Sequence, residues 1–260
     1  MSIRSAPLIF ITGASSGIGQ ALAARYARAG WRLALGARRV AEVQAWVDVQ
    51  GLGAERACVY RADVADVDSI VAAGRDCIAR QGLPDVVIAN AGISAGMDSA
   101  ERADLDVLRD ILATNNVGLA ATFHPFLRAM RQRGSGTLVG IASVAAIRGL
   151  PGHGAYSASK AAVVAYCESL RGECRRQGVK VVTLLPGYIA TPLTAKNPYS
   201  MPFLMQADDF ADCAFRAIAA GASYRVIPWQ MAIVAKVLRL LPNAVYDRLM
   251  AQRGRKPRRA

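Results

Sequence analysis

The sequence predicts an α/β fold in which one parallel sheet carries helices on both faces. Two observations lead to this prediction. Short apolar runs rich in β-branched residues alternate with segments of helical apolar spacing. The chain has 260 residues, 53% of them hydrophobic, which is enough to bury one full core, and no linker divides it. Repeated strand–helix–strand units need right-handed crossovers and therefore a parallel, doubly wound sheet, whose ligands bind beyond the carboxyl ends of the strands.

The apolar pattern also predicts the order of the elements. Strands at residues 8–12, 31–36, 56–61, 85–89, 137–142 and 179–185 alternate with helices at 18–29, 40–49, 67–80, 104–131 and 155–176. After Pro186 the chain becomes an irregular mixture of Pro, Met and aromatic residues, followed by a strand at 224–227. An amphipathic helix at 229–241 and a short helix at 245–251 complete the predicted fold.

Composition argues against several classes of protein. The five cysteines include no CxxC pair, which argues against a disulfide framework or a zinc site and predicts free thiols in a reducing, cytoplasmic compartment. The first apolar run ends at Thr12-Gly13 without a cleavage site, so we interpret it as a strand and not a signal peptide. The longest late apolar run without charge has ten residues, whereas a membrane-spanning helix needs about 20. We therefore expect no membrane-spanning segment.

A glycine-rich turn follows the first predicted strand. Residues 12–19 read Thr-Gly-Ala-Ser-Ser-Gly-Ile-Gly and lead into a helix, a context in which backbone amides and the helix N-terminus can approach a pyrophosphate. The candidate residues are Gly13, Ser15, Ser16, Gly17, Ile18 and Gly19. Because the spacing is G-x-x-x-G-x-G and not G-x-G-x-x-G, a turn that needs small residues only for packing is the alternative interpretation.

Two arginines stand where an NAD-binding sheet places an acidic residue. The second strand ends in Ala37-Arg38-Arg39, with no carboxylate to hold a ribose 2′-hydroxyl. Guanidinium groups suit a 2′-phosphate through forked, charge-assisted hydrogen bonds, so the predicted cofactor is NADP(H). The alternative is that both arginines are simply solvated.

A tyrosine and a lysine share one face of a predicted helix. Tyr156 and Lys160 are four residues apart, and Ser143 precedes them at the end of a predicted strand, where its hydroxyl can polarise a substrate carbonyl. A phenol titrates near pH ~10, and a nearby ammonium favours the phenolate, which brings the pKa of Tyr156 closer to a working pH. A Y-x-x-x-K pair also arises by chance, so it gains meaning only from this context.

In this order the motifs resemble the short-chain dehydrogenase/reductase family over residues 12–191, with a Rossmann-type sheet. The resemblance implies a catalytic set of Asn115, Ser143, Tyr156 and Lys160, and Asn115 is preferred to its neighbour because Gly118 follows three residues later. The implied mechanism is that NADPH delivers a hydride to a carbonyl carbon while Tyr156 protonates the oxygen that Ser143 holds. Lys160 then binds the nicotinamide ribose and lowers the pKa of the tyrosine, and Asn115 anchors a water in the proton relay.

The resemblance also implies the cofactor contacts and the domain plan. The cofactor residues outside the glycine turn, the arginine pair and the catalytic set are Asp63 and Val64 at adenine, Asn90, Ala91 and Gly92 after the fourth strand, and Pro186, Gly187, Ile189 and Thr191 after the sixth. We expect one domain over residues 1–260, with a cofactor-binding half at about 7–145, a catalytic and substrate-binding part at about 146–251 and a basic tail at 252–260. Pairing of the helices at 104–131 and 155–176 between subunits, as in the family, predicts a homodimer or homotetramer.

The C-terminal region suggests a surface role. The formal net charge is +13, and five cations lie in the last eight residues. In the helix at 229–241, Trp229, Ile233, Val237 and Leu240 lie largely opposite Lys236 and Arg239. This pattern predicts contact with an anionic membrane surface, and the alternative is a helix packed on the cleft or in a subunit interface. Basic charge would also suit nucleic acid, but no stacking platform or helix-turn-helix accompanies it.

Three classes of function follow from these observations. The first is a carbonyl reductase or alcohol dehydrogenase, which the complete Asn-Ser-Tyr-Lys set favours. The second is a regulatory nucleotide-binding protein of the same fold without turnover, and the third is a membrane-surface protein. An apolar substrate of lipid, steroid or aromatic type is suggested by Met201, Phe203, Leu204, Met205 and Phe210, and the alternative is that ordinary packing requires the same residues. We expect His124 and His153 to be structural or at the surface, with a place at the border of the substrate cleft as the alternative for His153. We expect Asp98, Glu101 and Asp104 to form a solvated acidic cluster.

Overall fold

A seven-stranded parallel sheet organises the molecule. The structure is a computed structural model that describes residues 6–195, 197–251, 254 and 256–258. The strand order is β3-β2-β1-β4-β5-β6-β9. These strands are β1 (Leu8–Thr12), β2 (Arg32–Ala37), β3 (Ala57–Arg61), β4 (Val86–Ala89), β5 (Gly136–Ile141), β6 (Val179–Pro186) and β9 (Tyr224–Ile227). Two short strands, β7 (Ile189–Ala190) and β8 (Met205–Gln206), pair separately. The predicted parallel α/β fold is therefore confirmed, with strand bounds within about one residue of those predicted.

Helices cover both faces of this sheet. They are α1 (Gly17–Arg28), α2 (Val40–Val49), α3 (Val67–Gln81), α4 (Asp104–Leu112), α5 (Gly118–Arg133), α6 (Gly154–Cys174), α7 (Ala207–Ala219), α8 (Trp229–Leu240) and α9 (Asn243–Ala251). Alternate residues of β1 show how two cores arise. Phe10 packs with α3 and α5 on one face, whereas Ile9 and Ile11 pack with α1 and α7 on the other. Because β1 is covered on both faces, its five residues are all buried and read as a continuous apolar run.

The helix predicted over 104–131 is interrupted. A π-helical turn over Ala113–Val117 separates α4 from α5 and carries the buried Asn115. The side chain of Asn115 is bonded to the backbone of Ile93, and a Cβ on Gly118 would stand 2.5 Å from the carbonyl oxygen of Val64. Both contacts are distant in sequence, so helical periodicity alone could not predict the interruption.

Helix α7 is absent from the sequence prediction, which left this region irregular. Its buried positions are Phe210, Ala211, Ala214, Ala217 and Ile218, a regular helical spacing. Phe210 is fully buried in the core beside α1, and Met205 packs on the same core. Phe210 therefore serves ordinary packing, which is the alternative interpretation of these residues, whereas a substrate contact of the partly buried Met205 stays a prediction.

Helices α8 and α9 are fixed to the loop that precedes α6. The Arg148 guanidinium donates to the carbonyl oxygens of Leu238 and Leu241 and to the Asn243 side chain, 3.0 Å from its Oδ1. The same guanidinium stacks on the Tyr246 ring, and the Tyr246 hydroxyl donates to Gly149. In the part of the chain that the structure describes, no helix is both long and apolar enough to cross a membrane.

Candidate active site

The glycine turn between β1 and α1 forms one side of a cleft. Gly13 and Gly17 have φ values of +70° and +57°, which side chains with a Cβ rarely adopt. A Cβ on Gly19 would lie 2.2 Å from the carbonyl oxygen of Gly13, so only glycine lets α1 start this close to the turn. The turn thus places backbone and the N-terminus of a helix at an open cradle, which fits the phosphates of a dinucleotide.

The ends of β1 and β4 are joined beside this turn. The Thr12 hydroxyl oxygen accepts the amides of Asn90 and Ala91 at 3.1 and 3.2 Å, and the Asn90 side chain donates to the carbonyl oxygen of Thr12 at 3.0 Å. In the sheet, β2 and β3 lie on one side of β1, and the later strands β4, β5, β6 and β9 lie on the other, so this junction lies at the topological switch point. It is the position at which such sheets bind ligands.

Arginines border the turn as the sequence predicts. The Arg39 guanidinium donates to the hydroxyls of Ser15 and Ser16 at 2.9 and 3.4 Å and pairs with Glu42 at 3.0 Å. Arg38 is more exposed and lies 3.9 Å from an Asp63 carboxylate oxygen. Between them the site presents two guanidiniums and hydroxyl groups at the end of β2, with a buried alanine at position 37.

Three predicted catalytic side chains converge at the carboxyl ends of β5 and β6. Ser143 is buried directly after β5, and Tyr156 and Lys160 lie on the first turns of α6. The Lys160 ammonium donates to the carbonyl oxygen of Ile141 at 2.9 Å and lies 5.7 Å from the centre of the Tyr156 ring. Burial lowers the pKa of Lys160 to about 8. A buried ammonium at this position therefore gives up its proton more readily than one in water.

Burial dominates the environment of the Tyr156 phenol. It raises the pKa of Tyr156, whereas a hydrogen bond with the Ser143 hydroxyl lowers it by less. The expected lowering by Lys160 is not what this structure shows, because the ammonium is bonded to the Ile141 carbonyl instead of the phenol. The neutral phenol, the form that can donate a proton, is therefore favoured.

Asn115 lies behind these groups, where it supports the cleft wall. Its side-chain oxygen accepts the Ile93 amide at 2.9 Å, and its amide nitrogen donates to the Ile93 carbonyl and the Ser159 hydroxyl, both at 3.0 Å. These bonds occupy both ends of the carboxamide. The side chain therefore holds Ile93 in place, and the proposed water contact would have to use the main chain of the π-helical turn.

The predicted residues form one continuous cleft. Its volume is about 310 Å³. All predicted cofactor residues except Gly19 line it, together with Ser143, Ile93 and Leu193. Thr191 follows β7, and its methyl group would lie 3.1 Å from a Cβ on Gly17, so the loop after β6 closes over the glycine turn.

The contacts of His153 were not predicted from the sequence. His153 is buried, and its Nε2 lies 3.2 Å from the Tyr199 hydroxyl, whose ring in turn contacts Tyr188. The alternative that His153 borders the substrate cleft stays a prediction, based on its position three residues before Tyr156. By contrast, His124 is exposed on α5, as expected.

The expectation of a solvated acidic cluster fails at Asp104. Its side chain is 3% exposed and is paired with Arg258, 2.7 Å from Nε to Oδ2. Asp98 and Glu101 do not share this burial. The partner is 154 residues away in sequence, so no local pattern could predict the pair.

Comparison with known proteins agrees with this geometry. The family model described as short chain dehydrogenase matches residues 7–201. An "uncharacterized oxidoreductase" of Myxococcus xanthus is 39% identical over 247 residues, covering 95% of this chain and 96% of that protein.

Two solved structures extend the comparison. A short-chain dehydrogenase from Streptomyces avermitilis has a TM-score of 0.80 at 26% identity and covers 95% of this chain and 94% of its own. An alcohol dehydrogenase from the archaeon Thermococcus sibiricus, complexed with 5-hydroxy-NADP, has a TM-score of 0.75 at 26% identity and covers 86% of this chain and 96% of its own.

The fold and the site define a nucleotide-binding oxidoreductase with a doubly wound sheet. The chain belongs to the short-chain dehydrogenase/reductase family, whose cofactor is NAD(H) or NADP(H).

The buried ammonium makes a prediction about stability. Because the pKa of Lys160 is about 8 in the folded protein and 10.5 when exposed, the unfolded chain binds more protons between these values, and stability should rise with pH there. Replacing Lys160→Met removes this dependence. We expect the free energy of unfolding of wild type, minus that of Lys160→Met, to increase from pH 8 to pH 10.5 in urea titrations. A difference that stays constant with pH would contradict the burial argument, and Lys236→Met, at an exposed position, is the control.

Proposed function

We propose that the protein is an NADP(H)-dependent oxidoreductase that interconverts a carbonyl compound and a secondary alcohol. The observation that carries the proposal is the convergence of Ser143, Tyr156 and Lys160 in the same cleft as the glycine turn. When bound, NADPH supplies the hydride. The protein supplies a neutral phenol at Tyr156 that donates a proton to the carbonyl oxygen, and the Ser143 hydroxyl holds that oxygen.

The supporting residues have distinct tasks in this proposal. Lys160 holds the nicotinamide ribose, and its positive charge beside Tyr156 favours the phenolate that forms when the proton leaves. Asn115 positions Ile93 and, through the main chain of its helical turn, a water in the proton relay. The amides of the glycine turn hold the pyrophosphate, with Asp63 at the adenine. Ile189 and Thr191 hold the carboxamide.

NADP(H) is favoured over NAD(H) by the end of β2. Arg39 is already held at the hydroxyls of Ser15 and Ser16, so a guanidinium stands next to the phosphate cradle. No carboxylate occupies position 37, where a ribose 2′-hydroxyl would need an acceptor. A 2′-phosphate at this point gains two cationic donors, and no carboxylate at position 37 repels it.

The proposed substrate is apolar, of lipid, steroid or aromatic type. Ile93 and Leu193 line the cleft, and the rings of Tyr188 and Tyr199 contact each other beside it. Exposed Phe203 and Leu204 follow in the same loop region. Apolar surface of this kind favours a substrate whose carbonyl is attached to an extended hydrocarbon body.

The first prediction for this function concerns Tyr156. Tyr156→Phe removes the proton donor but keeps the ring, so kcat should fall at least 100-fold while NADPH affinity changes little, because general acid catalysis contributes roughly 10²–10⁴. NADPH oxidation with a panel of ketones, and NADPH titration by fluorescence, measure the two quantities. Tyr166→Phe, farther along α6, is the matched control. If no carbonyl compound is reduced by wild type although NADPH binds, the regulatory nucleotide-binding protein without turnover is the better description.

The second prediction concerns cofactor choice. Arg38→Gln with Arg39→Gln should lower kcat/KM for NADPH at least tenfold and leave NADH nearly unchanged, because only the former carries the 2′-phosphate. Ala37→Asp with Arg38→Gln should shift the preference toward NADH. Arg28→Gln, at the opposite end of α1, controls for loss of charge. Equal kcat/KM for both cofactors in wild type would contradict the proposal.

We further propose a homodimer or homotetramer in which α5 and α6 of neighbouring subunits pair. The exposed face of α6 carries Ala158, Ala161, Ala162 and Ala165 beside Tyr166. Small side chains permit close helix packing and cost little to desolvate. Light scattering at micromolar concentration should give a mass of two or four chains, and Ala162→Arg should reduce it; a monomeric wild type contradicts this.

A second candidate role is contact of a cytoplasmic enzyme with anionic membranes. On α8 the side chains of Trp229, Ile233, Val237 and Leu240 are 66%, 55%, 53% and 83% exposed. They form an apolar stripe on the face away from Met231 and Ala235, which are buried. Helices α8 and α9 carry Lys236, Arg239 and Arg248 against the single acid Asp247. Because two such surfaces would repel each other, an anionic lipid surface fits the stripe better than a second copy.

Vesicle sedimentation tests this role. The protein should sediment with anionic vesicles at low salt, less with neutral vesicles, and much less at 1 M salt, where the Debye length falls from about 10 to about 3 Å. Ile233→Ser with Leu240→Ser should abolish sedimentation, whereas Val49→Ser, at an exposed position on α2, should not. The opposite outcome would be a wild-type protein that does not sediment with any vesicles and a stripe variant with a changed oligomeric mass. That result would identify the stripe as a subunit interface.

A further inference from the structure

The described end of the chain lies across the outside of the cleft. We call Gly254, Lys256, Pro257 and Arg258 the C-terminal strap. A Cβ on Gly254 would lie 3.5 Å from the Cβ of Tyr199. The Lys256 ammonium donates to the carbonyl oxygen of Leu193 at 3.3 Å and to the Ser94 hydroxyl at 3.2 Å. The strap therefore contacts the loop after β7 and the loop after β4, and both loops contribute residues to the walls of the cleft.

The end of the strap is fixed by a charged pair. Arg258 donates from Nε to Asp104 Oδ2 at 2.7 Å and from Nη2 to Oδ1 at 3.3 Å. Asp104 Oδ2 also accepts the Asp98 amide at 2.7 Å, and the bond from Arg258 is the main reason why the pKa of Asp104 is lowered. The pair thus joins the strap to the start of α4, and removing Arg258 takes away the cationic partner of this carboxylate.

The wall after β4 is shaped to receive the strap. The Gly96 amide donates to the carbonyl oxygen of Pro257 at 3.0 Å. A Cβ on Gly96 would stand 2.1 Å from the carbonyl oxygen of Lys256, so any other residue at position 96 would push the strap away. The contact between the strap and this wall therefore depends on a glycine at position 96.

The connection to the cleft runs through two lining residues. Leu193 lines the cleft, and its carbonyl oxygen accepts from Lys256. Ile93, adjacent to Ser94, also lines it and is held from the other side by Asn115. Lys256 thus joins the Leu193 backbone in one wall to the Ser94 side chain, which is adjacent to Ile93 in the other wall.

We propose that the strap is a positioning element, in which Lys256 ties the two walls together and Arg258 anchors the tie to α4. It keeps the carbonyl-binding side of the cleft at a fixed width and so raises affinity for substrate. This inference rests on the proposed function for its kinetic consequence. It also differs from the membrane role predicted for the whole tail, because Lys256 and Arg258 are bound to the protein; Arg253, Arg255 and Arg259 lie outside the described residues.

Hydrogen exchange tests the structural part without any turnover. Gly96→Ala should accelerate exchange at least tenfold in peptides covering residues 93–98 and 191–195, because undocking the strap frees both walls, and should leave peptides of β5 unchanged. The protein truncated after Ala251 should show the same pattern of accelerated exchange. If residues 191–195 exchange at the wild-type rate in both variants, the two walls are not tied by the strap and the proposal is overturned.

Kinetics test the positioning role. Lys256→Gln and Arg258→Gln should raise KM for a ketone substrate at least fivefold, with kcat and the Kd of NADPH within twofold of wild type. Lys256→Arg, which keeps a cationic donor, should restore most of the affinity. Arg109→Gln, which breaks the surface pair with Asp106 on the same helix as Asp104, is the matched control. An unchanged KM in both strap variants overturns the proposal.

The exchange and kinetic tests separate a failure of the strap proposal from a failure of the proposed function. If wild type reduces no carbonyl compound, the proposed function fails, and the exchange data alone decide whether the strap fixes the walls.

Discussion

The hydrogen bonds between Thr12 and Asn90 hold together the carboxyl ends of two adjacent parallel strands, and the rest of the site depends on that junction. The Thr12 hydroxyl serves two amides, and the Asn90 carboxamide returns a bond to the Thr12 carbonyl. Backbone groups at the ends of β1 and β4 would otherwise lack partners, because the chain departs from the sheet on both sides. The junction therefore satisfies the backbone and keeps the glycine turn next to the wall that carries Gly92.

Burial of polar groups on the opposite side of the cleft sets their chemistry. Lys160 has one short bond, to the Ile141 carbonyl, and little water, so its pKa falls to about 8. Tyr156 is held as a neutral phenol by the same loss of water. Loss of water thus shifts the two pKa values in opposite directions and moves the proton affinities of the two groups apart. Proximity of the two side chains on α6 alone would not have this effect.

The C-terminal region divides its charges and apolar groups between two tasks. Arg148 binds α8 and α9 to the loop before α6, and the apolar stripe of α8 remains exposed. The strap then returns to the opposite side of the cleft and uses its cations for contacts within the chain. Net charge is therefore a poor guide to the surface of this protein, since a cation counted in the tail can be a partner for a buried carboxylate.

The sequence alone determined the order of the strands and helices up to β6, because apolar periodicity is a local property that survives in any parallel α/β sheet, but it missed β7, β8 and α7. The sequence also identified most residues of the cleft, because the motifs at Gly13, Asn90, Ser143 and Tyr156 resemble those of a known family and follow strands whose carboxyl ends meet at one edge. Only the tertiary structure decided the interruption at Asn115, the role of Phe210 in the core and the burial of Asp104. Each of these depends on a contact between residues far apart in the chain. No local pattern specifies such a partner, because its position is fixed only when the elements pack.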